Sequence, residues 1–464
     1  MNNDFNFFNI FIVLLILFAM QTISLAQNQD EYLSDSDPGY KFIEELQKES
    51  CTKLPAYDCN TTIAECLELY EAIINSLRPD LIDLDEIKDI SCSKISTRYE
   101  GYGVYKYLSG ILDEVHNTAN NLNLGINELP KIGSLPIREL NAGVATPSEE
   151  MGHIIIINRH FFTFANEMSK IIAMTIPFVI TREGVKIDPS DEALIMKLSQ
   201  KPKTIMKNSY ETEDPTLLEL YGGRILEFIE TFRGHQLPPP PELQNLIISY
   251  FKGIEMFALA HEYGHVYYKH TVRSSQAFQL YGKTSKPLNQ NTKKIKRGWL
   301  DEVQADLFAV DIIKEVAKQK KISEDYFEAY DTLYYAPSFY FKLRNIVRNA
   351  EELYYNGKYY PNPSSEEIDL ANKLIDCVKK PSCDLVKFRE QNNDAISKFD
   401  RHPHDKIREK IIYEMLEIEN LELGSSFFYI IAEIMNQNAD KLWQIVQPGF
   451  LEIHKVNKEK SLVP

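Results

Sequence analysis

Apolar positions recur with a helical period along most of this chain, and the longest such run ends in its most informative residues. After Pro238-Pro239-Pro240-Pro241, the residues Leu243, Leu246, Ile247, Tyr250, Ile254 and Ala258 share one side of a segment expected to be helical from about Glu242 to about Tyr268. A proline suits the first turn of such a helix, where its missing N–H has no partner to lose. A second helical period runs through Leu300, Val303, Leu307, Phe308 and Val310. Upstream, amphipathic stretches fill residues 38–126, with breaks at Pro55, Pro79 and Asn121 to Gly125. Strand-like segments follow around 135–145 and 153–157, the latter being His153 and four isoleucines. Phe161 to Ile176 reads as a buried helix and Lys201 to Pro215 as a polar loop. The pattern predicts an α+β fold, mainly α, with a small mixed sheet and no internal repeat.

The long helix carries His261-Glu262-Tyr263-Gly264-His265, an HExxH motif. At about 3.6 residues per turn, the two histidines lie one turn apart on one face and can share a metal ion. Glu262 is placed to take a proton from a water that the metal activates. A catalytic zinc needs a third protein ligand, and a glutamate beside two histidines is a known set. Glu302, on the second helix, is the candidate; Asp301 or Asp306 would be next in line. Asp306 lies one turn beyond Glu302, so the two carboxylates share a face, and Asp306 can accept the free ring N–H of a ligand histidine. Taken alone, that acidic pair is an ordinary solvated helix face; downstream of a helical HExxH it reads as ligand and support. Gly264 costs a helix about 1 kcal/mol relative to alanine, which suggests that another backbone passes close by. His153, His160, His270 and His404 are left outside the ligand set.

Together these segments resemble the gluzincin metallopeptidases, in particular soluble, periplasmic relatives of the CaaX prenyl endopeptidases. That family follows HExxH with an ExxAD-like helix, matched here by Glu302-Val303-Gln304-Ala305-Asp306. Leu140-Asn141-Ala142-Gly143-Val144-Ala145 is similar to its Asn-Ala edge strand, and His402-Pro403 with Arg408 to its HP-x4-R element. The match covers roughly residues 127–420. It implies a zincin-like fold, one Zn2+ per chain, and hydrolysis of a peptide or protein substrate. It also implies that substrate pairs along Asn141, Ala142 and Gly143. His402 would donate to the oxyanion, with Arg408 supporting it or clamping substrate. Two other readings stay open: a catalytically silent zincin-fold binding or scaffold protein, and a latent enzyme capped by its N-terminal region.

Composition narrows the setting. The chain has 464 residues, 44% hydrophobic and 25% charged, which suits a sizeable globular enzyme. Phe7 to Met20 is almost wholly apolar, and Ser24-Leu25-Ala26 offers small residues at a cleavage site, so residues 1–26 read as a secretory signal peptide. An uncleaved anchor is the alternative, although the run is short for a span. The mature chain then has no stable membrane span and is exported, periplasmic or secreted. A net charge of −16 argues against nucleic acid; the basic run Lys293, Lys294, Lys296 and Arg297 reads as a solvated loop. Six cysteines behind an export signal suggest disulfide bonds. A local bridge could join Cys377 to Cys383, whereas Cys51, Cys59, Cys66 and Cys92 allow three pairings. The expected organisation is a leader (1–26), a helical cysteine-containing region (27–126), a zincin-like metallopeptidase domain (127–420) and a C-terminal helical extension (421–464).

Overall fold

The computed structural model describes residues 32–53, 96–100, 102–136, 142–159, 161, 165, 178–181, 184–187, 241–270, 298–323, 331–359, 361–399 and 403–423, with scattered positions between 437 and 458. The leader, the loop at 201–215, Cys59, Cys66, Cys92, Asn141, His160 and His402 lie outside them, as does most of the helix expected at 161–176. The described chain is mainly helical with a small three-stranded mixed sheet.

Helices α1 (Leu33–Ser36), α2 (Pro38–Lys53) and α3 (Tyr102–Asn121) precede the sheet. Asp37 starts α2 by accepting the backbone N–H groups of Gly39 and Tyr40, and Pro38 occupies the first turn. The strands are β1 (Lys131–Leu135), β2 (Ala142–Ala145) and β3 (Ile154–Asn158), in the order β1-β3-β2. β3 runs parallel to β1 and antiparallel to β2, with Gly143 opposite Ile156 and Val144 opposite Ile155.

Alternation along β3 explains its four isoleucines. Ile155 and Ile157 enter the main core with Leu108, Ile111, Leu112 and Val115 of α3. Ile154 and Ile156 face the opposite way, into a cluster with Ile43, Leu135 and Ala145. A strand covered on both faces reads as a continuous apolar run. Gly133 lets α2 come close, since a Cβ there would lie 2.5 Å from Cγ2 of Ile43. A short antiparallel hairpin, β4 (Phe178–Thr181) with β5 (Gly184–Ile187), follows.

The motif helix is α4 (Pro241–Tyr267), which packs on β2 and along α5 (Trp299–Ser323). A 3-10 turn (Asp331–Tyr334) leads into α6 (Ala336–Asn356), then α7 (Ser365–Val378), α8 (Leu385–Lys398) and α9 (Asp405–Leu423). α5 is buried along both of its halves. Trp299, Leu300 and Val303 pack with Leu370, Leu374, Phe388, Ile407 and Ile411, while Phe308, Ile312, Ile313 and Val316 join the main core. Ser364 and Asp384 cap α7 and α8 through their side chains. Cys377 and Cys383 are bridged across the intervening turn, with Cα atoms 5.1 Å apart. Cys51 is also disulfide-bonded. Among the described residues, no helix is long and apolar enough to cross a membrane.

The expectation for Gly264 needs correction. Its near neighbour is a side chain: a Cβ at Gly264 would lie 3.2 Å from Cβ, Cγ and Cδ1 of Phe308. Phe308 projects from α5 onto α4 and stacks on Tyr263, so the missing methyl group makes room for an aromatic ring.

Candidate metal centre

α4 and α5 bring three ligand atoms to one point. His261 Nε2 and His265 Nε2 are 3.1 Å apart. Glu302 reaches between them, its Oε2 3.4 Å from His261 Nε2 and its Oε1 3.5 Å from His265 Nε2. All three residues are buried, and the group could hold a metal ion. Both histidines offer Nε2 to the same point while each Nδ1 faces another side chain, the arrangement that neutral imidazole ligands require. Glu262 is buried on the same turn of α4.

The helix ends explain how Glu302 is aimed. Gly298 precedes α5, its carbonyl accepts the N–H groups of Asp301 and Glu302, and its own N–H donates to Asp301 Oδ2 at 3.0 Å. This reciprocal bonding fixes the first turn of α5 and hence the departure of the Glu302 side chain. Glu367 of α7 accepts from Trp299 Nε1 at 3.2 Å and from the backbone N–H of His404 at 3.0 Å. One carboxylate thus holds together the starts of α5 and α9.

Behind His261 lies a sealed ion pair. His261 Nδ1 donates to Asp306 Oδ1 at 2.8 Å. Arg408 of α9 grips the same carboxylate with both arms, Nε to Oδ2 at 2.7 Å and Nη2 to Oδ1 at 2.5 Å. Its Nη1 lies 3.5 Å from Glu302 Oε2, and its guanidinium covers the Phe341 ring at 4.4 Å. Burial raises the Asp306 pKa, but Arg408 and then His261 outweigh it and hold the carboxyl below its ordinary value. Burial likewise lowers the pKa of His261, and Asp306 more than reverses this, leaving the imidazole above its usual value. A cation binding here therefore competes with a proton.

The sequence candidates fall into four groups. His261, Glu262, His265, Glu302 and Asp306 are assembled as expected from helical spacing. Ala142 and Gly143 lie on β2, at the sheet edge and packed on α4. Asn141 and His402 lie outside the described residues. Arg408 is only 2% exposed, and its fork is engaged by Asp306, so it faces a protein carboxylate and is not presented to substrate. His153 contacts Thr146 Oγ1, and His404 contacts the carbonyl of Pro361, both through ring nitrogens. Sequence reasoning missed Phe341 and the place of His270, whose Nδ1 lies 3.2 Å from His265 Nδ1. Neither gives a helical-spacing signal: Phe341 is distant in sequence, and His270 follows the end of α4. Comparison with protein-family models, curated proteins and solved structures gave no match.

Proposed function

We propose that this protein is a zinc-dependent endopeptidase of the gluzincin type, built on a zincin-like core. The observation that carries the reading is the convergence of His261, His265 and Glu302, with Glu262 buried on the same turn. Two imidazoles and a carboxylate suit a catalytic zinc, and the resemblance in HExxH, ExxAD and HP-x4-R supports the same assignment. Zinc, when bound, would polarise the scissile carbonyl and bring the pKa of the attacking water down toward about 7.

The chain's own residues do the rest. Glu262 takes a proton from the attacking water as its oxygen bonds to the carbonyl carbon, then delivers it to the leaving nitrogen as the C–N bond breaks. Asp306, held ionised by Arg408, keeps His261 Nδ1 protonated and its Nε2 lone pair directed at the metal. β2 is the outer strand of the described three-stranded sheet and packs against α4, so in this reading an extended peptide adds beside Ala142 and Gly143 by backbone hydrogen bonds. His402 is the oxyanion donor in this reading. The bridged cysteines fit export to an oxidising compartment.

The test is a pair of variants of the purified chain, with zinc content measured by mass spectrometry and turnover by a casein or peptide assay. Glu262→Gln should keep about one zinc per chain and lose about 10²–10⁴-fold in turnover. Glu302→Ala should lose the zinc itself. Less than tenfold loss in Glu262→Gln removes the general base and leaves a metal-holding binding protein.

A further inference from the structure

The end of α4 carries a second support for the metal centre, different in kind from the Asp306–Arg408 pair. The helix stops with Lys269 in the left-handed region, at φ 61°, a conformation uncommon for a residue other than glycine. Lys269 N–H bonds the carbonyl of Val266 at 3.0 Å, and His270 N–H bonds the carbonyl of His265 at 2.8 Å. These are the two closing bonds of a Schellman motif, in which the residue after the left-handed one folds back over the last turn. An apolar contact frequently joins those same two positions. Here they are both imidazoles. His270 Nδ1 lies 3.2 Å from His265 Nδ1, and His270 stacks on Tyr268. On its far side, His270 Nε2 faces Asp301 Oδ1 at 3.6 Å. Asp301 adjoins the ligand Glu302 and is fixed by the Gly298 N–H and by Arg389.

We propose that His270 is the positioning residue for His265. A histidine that ligates through Nε2 carries its proton on Nδ1, and that N–H needs an acceptor. His270 Nδ1 can accept only if its own proton sits on Nε2, the atom that Asp301 faces. The carboxylate, one imidazole and the ligand imidazole then form a single polarised line that aims the His265 Nε2 lone pair at the point shared with His261 and Glu302. The left-handed turn at Lys269 places His270 on that line. The inference rests on the metal-centre part of the proposed function and is independent of peptide hydrolysis.

The experiment compares His270→Phe, His270→Asn and the unsubstituted chain. Asparagine can place a carbonyl oxygen near the position of Nδ1; phenylalanine keeps the ring and loses the acceptor. Zinc affinity is read by competition with a chromogenic chelator, melting is read on chelator-stripped protein, and the visible spectrum is read after Co2+ loading. His270→Phe should bind zinc about 10–100-fold more weakly and shift the Co2+ spectrum, with the stripped protein melting as before. His270→Asn should recover most of the affinity. Wild-type affinity in His270→Phe overturns the inference and leaves the metal centre standing. Equal losses in both variants, with lowered melting of the stripped protein, assign His270 to the helix cap and also overturn it. Failure of the unsubstituted chain to bind zinc sinks the metal centre and this support together.

Discussion

Two buried carboxylates, each facing an arginine, have been driven in opposite directions. Glu100 sits at the seam between α2 and the sheet, where its Oε2 accepts from Ser134 N–H at 2.7 Å and from Gln47 Nε2 at 2.8 Å. Arg159 is nearby, but Nη2 is 3.6 Å from Oε1 and the side chain is 21% exposed. Burial prevails there, and the Glu100 pKa is raised. Asp306 is as deeply buried, yet its pKa is lowered, because Arg408 is itself sealed and binds both oxygens. A neutral hydrogen-bond cage suffices where a carboxyl only joins elements. A forked guanidinium is needed where the charge has to persist beside a ligand histidine.

The strongest way to break this comparison is to neutralise each acid. Asp306→Asn takes from the buried Arg408 the carboxylate that binds both its arms, leaving only Glu302 at 3.5 Å, and should cost about 3–5 kcal/mol of stability, together with about 10–100-fold in zinc affinity. Glu100→Gln keeps the shape but turns one oxygen into an amide nitrogen, so at least one of the donors from Ser134 and Gln47 loses its acceptor, at a cost of about 1–3 kcal/mol, and should leave zinc affinity unchanged. Urea unfolding of chelator-stripped protein and chelator competition give the two numbers. Equal costs would mean that the seam and the metal centre are built alike.

A gentler pair sharpens the role of the fork. Arg408→Lys keeps the charge but cannot make both bonds to Asp306. It should lose roughly 1.5–3 kcal/mol, the value of one hydrogen bond to a charged group, and part of the zinc affinity. Arg159→Lys loses little from the partly exposed, loosely spaced pair with Glu100, but it gives up one of the Arg159 bonds to Ser134 Oγ and the Tyr99 carbonyl, and should cost about 0.5–1.5 kcal/mol. If Arg408→Lys behaves as wild type in both assays, charge alone supports Asp306 and its geometry is incidental.

Helical spacing made most of this centre legible in the sequence, because the motif residues depend on only two helices. His261 with His265, and Glu302 with Asp306, are each one turn apart, and α4 runs Pro241–Tyr267 where Glu242 to Tyr268 was expected. Of the sheet, β3 was legible to within a residue, Ile154–Asn158 against an expected 153–157, since the isoleucine run marks burial and leaves the ends undetermined; the stretch expected at 135–145 contains β2 but meets β1 only at Leu135. What stayed hidden depends on where helix ends point. Arg408 was visible as a motif position, but its partner depends on how α9 crosses α5. His270 lies five residues after His265, where helical spacing predicts no contact, and only the left-handed turn at Lys269 folds it back. Gly264 was legible as a close approach, although its neighbour, the Phe308 ring, was not.

The smallest expected effect lies in the pH dependence, where the two carboxylates should separate by sign. Unfolded aspartate titrates near pH 3.9 and unfolded glutamate near pH 4.3. The folded pKa of Asp306 is depressed, so its contribution is present above about pH 3.9 and is lost as the pH falls through the lower, folded value. The folded pKa of Glu100 is raised, so its contribution is complete below about pH 4.3 and is lost as the pH rises through the higher, folded value. Asp306→Asn also removes the partner that raises the pKa of His261 and leaves burial and Arg408 to lower it, so between about pH 6.5 and pH 4 the variant itself loses stability as its unfolded histidine takes up a proton. Urea midpoints of stripped wild type, Asp306→Asn and Glu100→Gln across that range and below it supply the differences. The advantage of wild type over Asp306→Asn should grow as the pH falls from about 6.5, through His261, and shrink below about pH 4, as Asp306 takes up its proton. Its advantage over Glu100→Gln should be greatest in acid and decline as the pH rises. Curves that run in parallel would show that Arg408 does not hold Asp306 ionised, and the contrast between the two carboxylates would then fail where it matters most, behind His261.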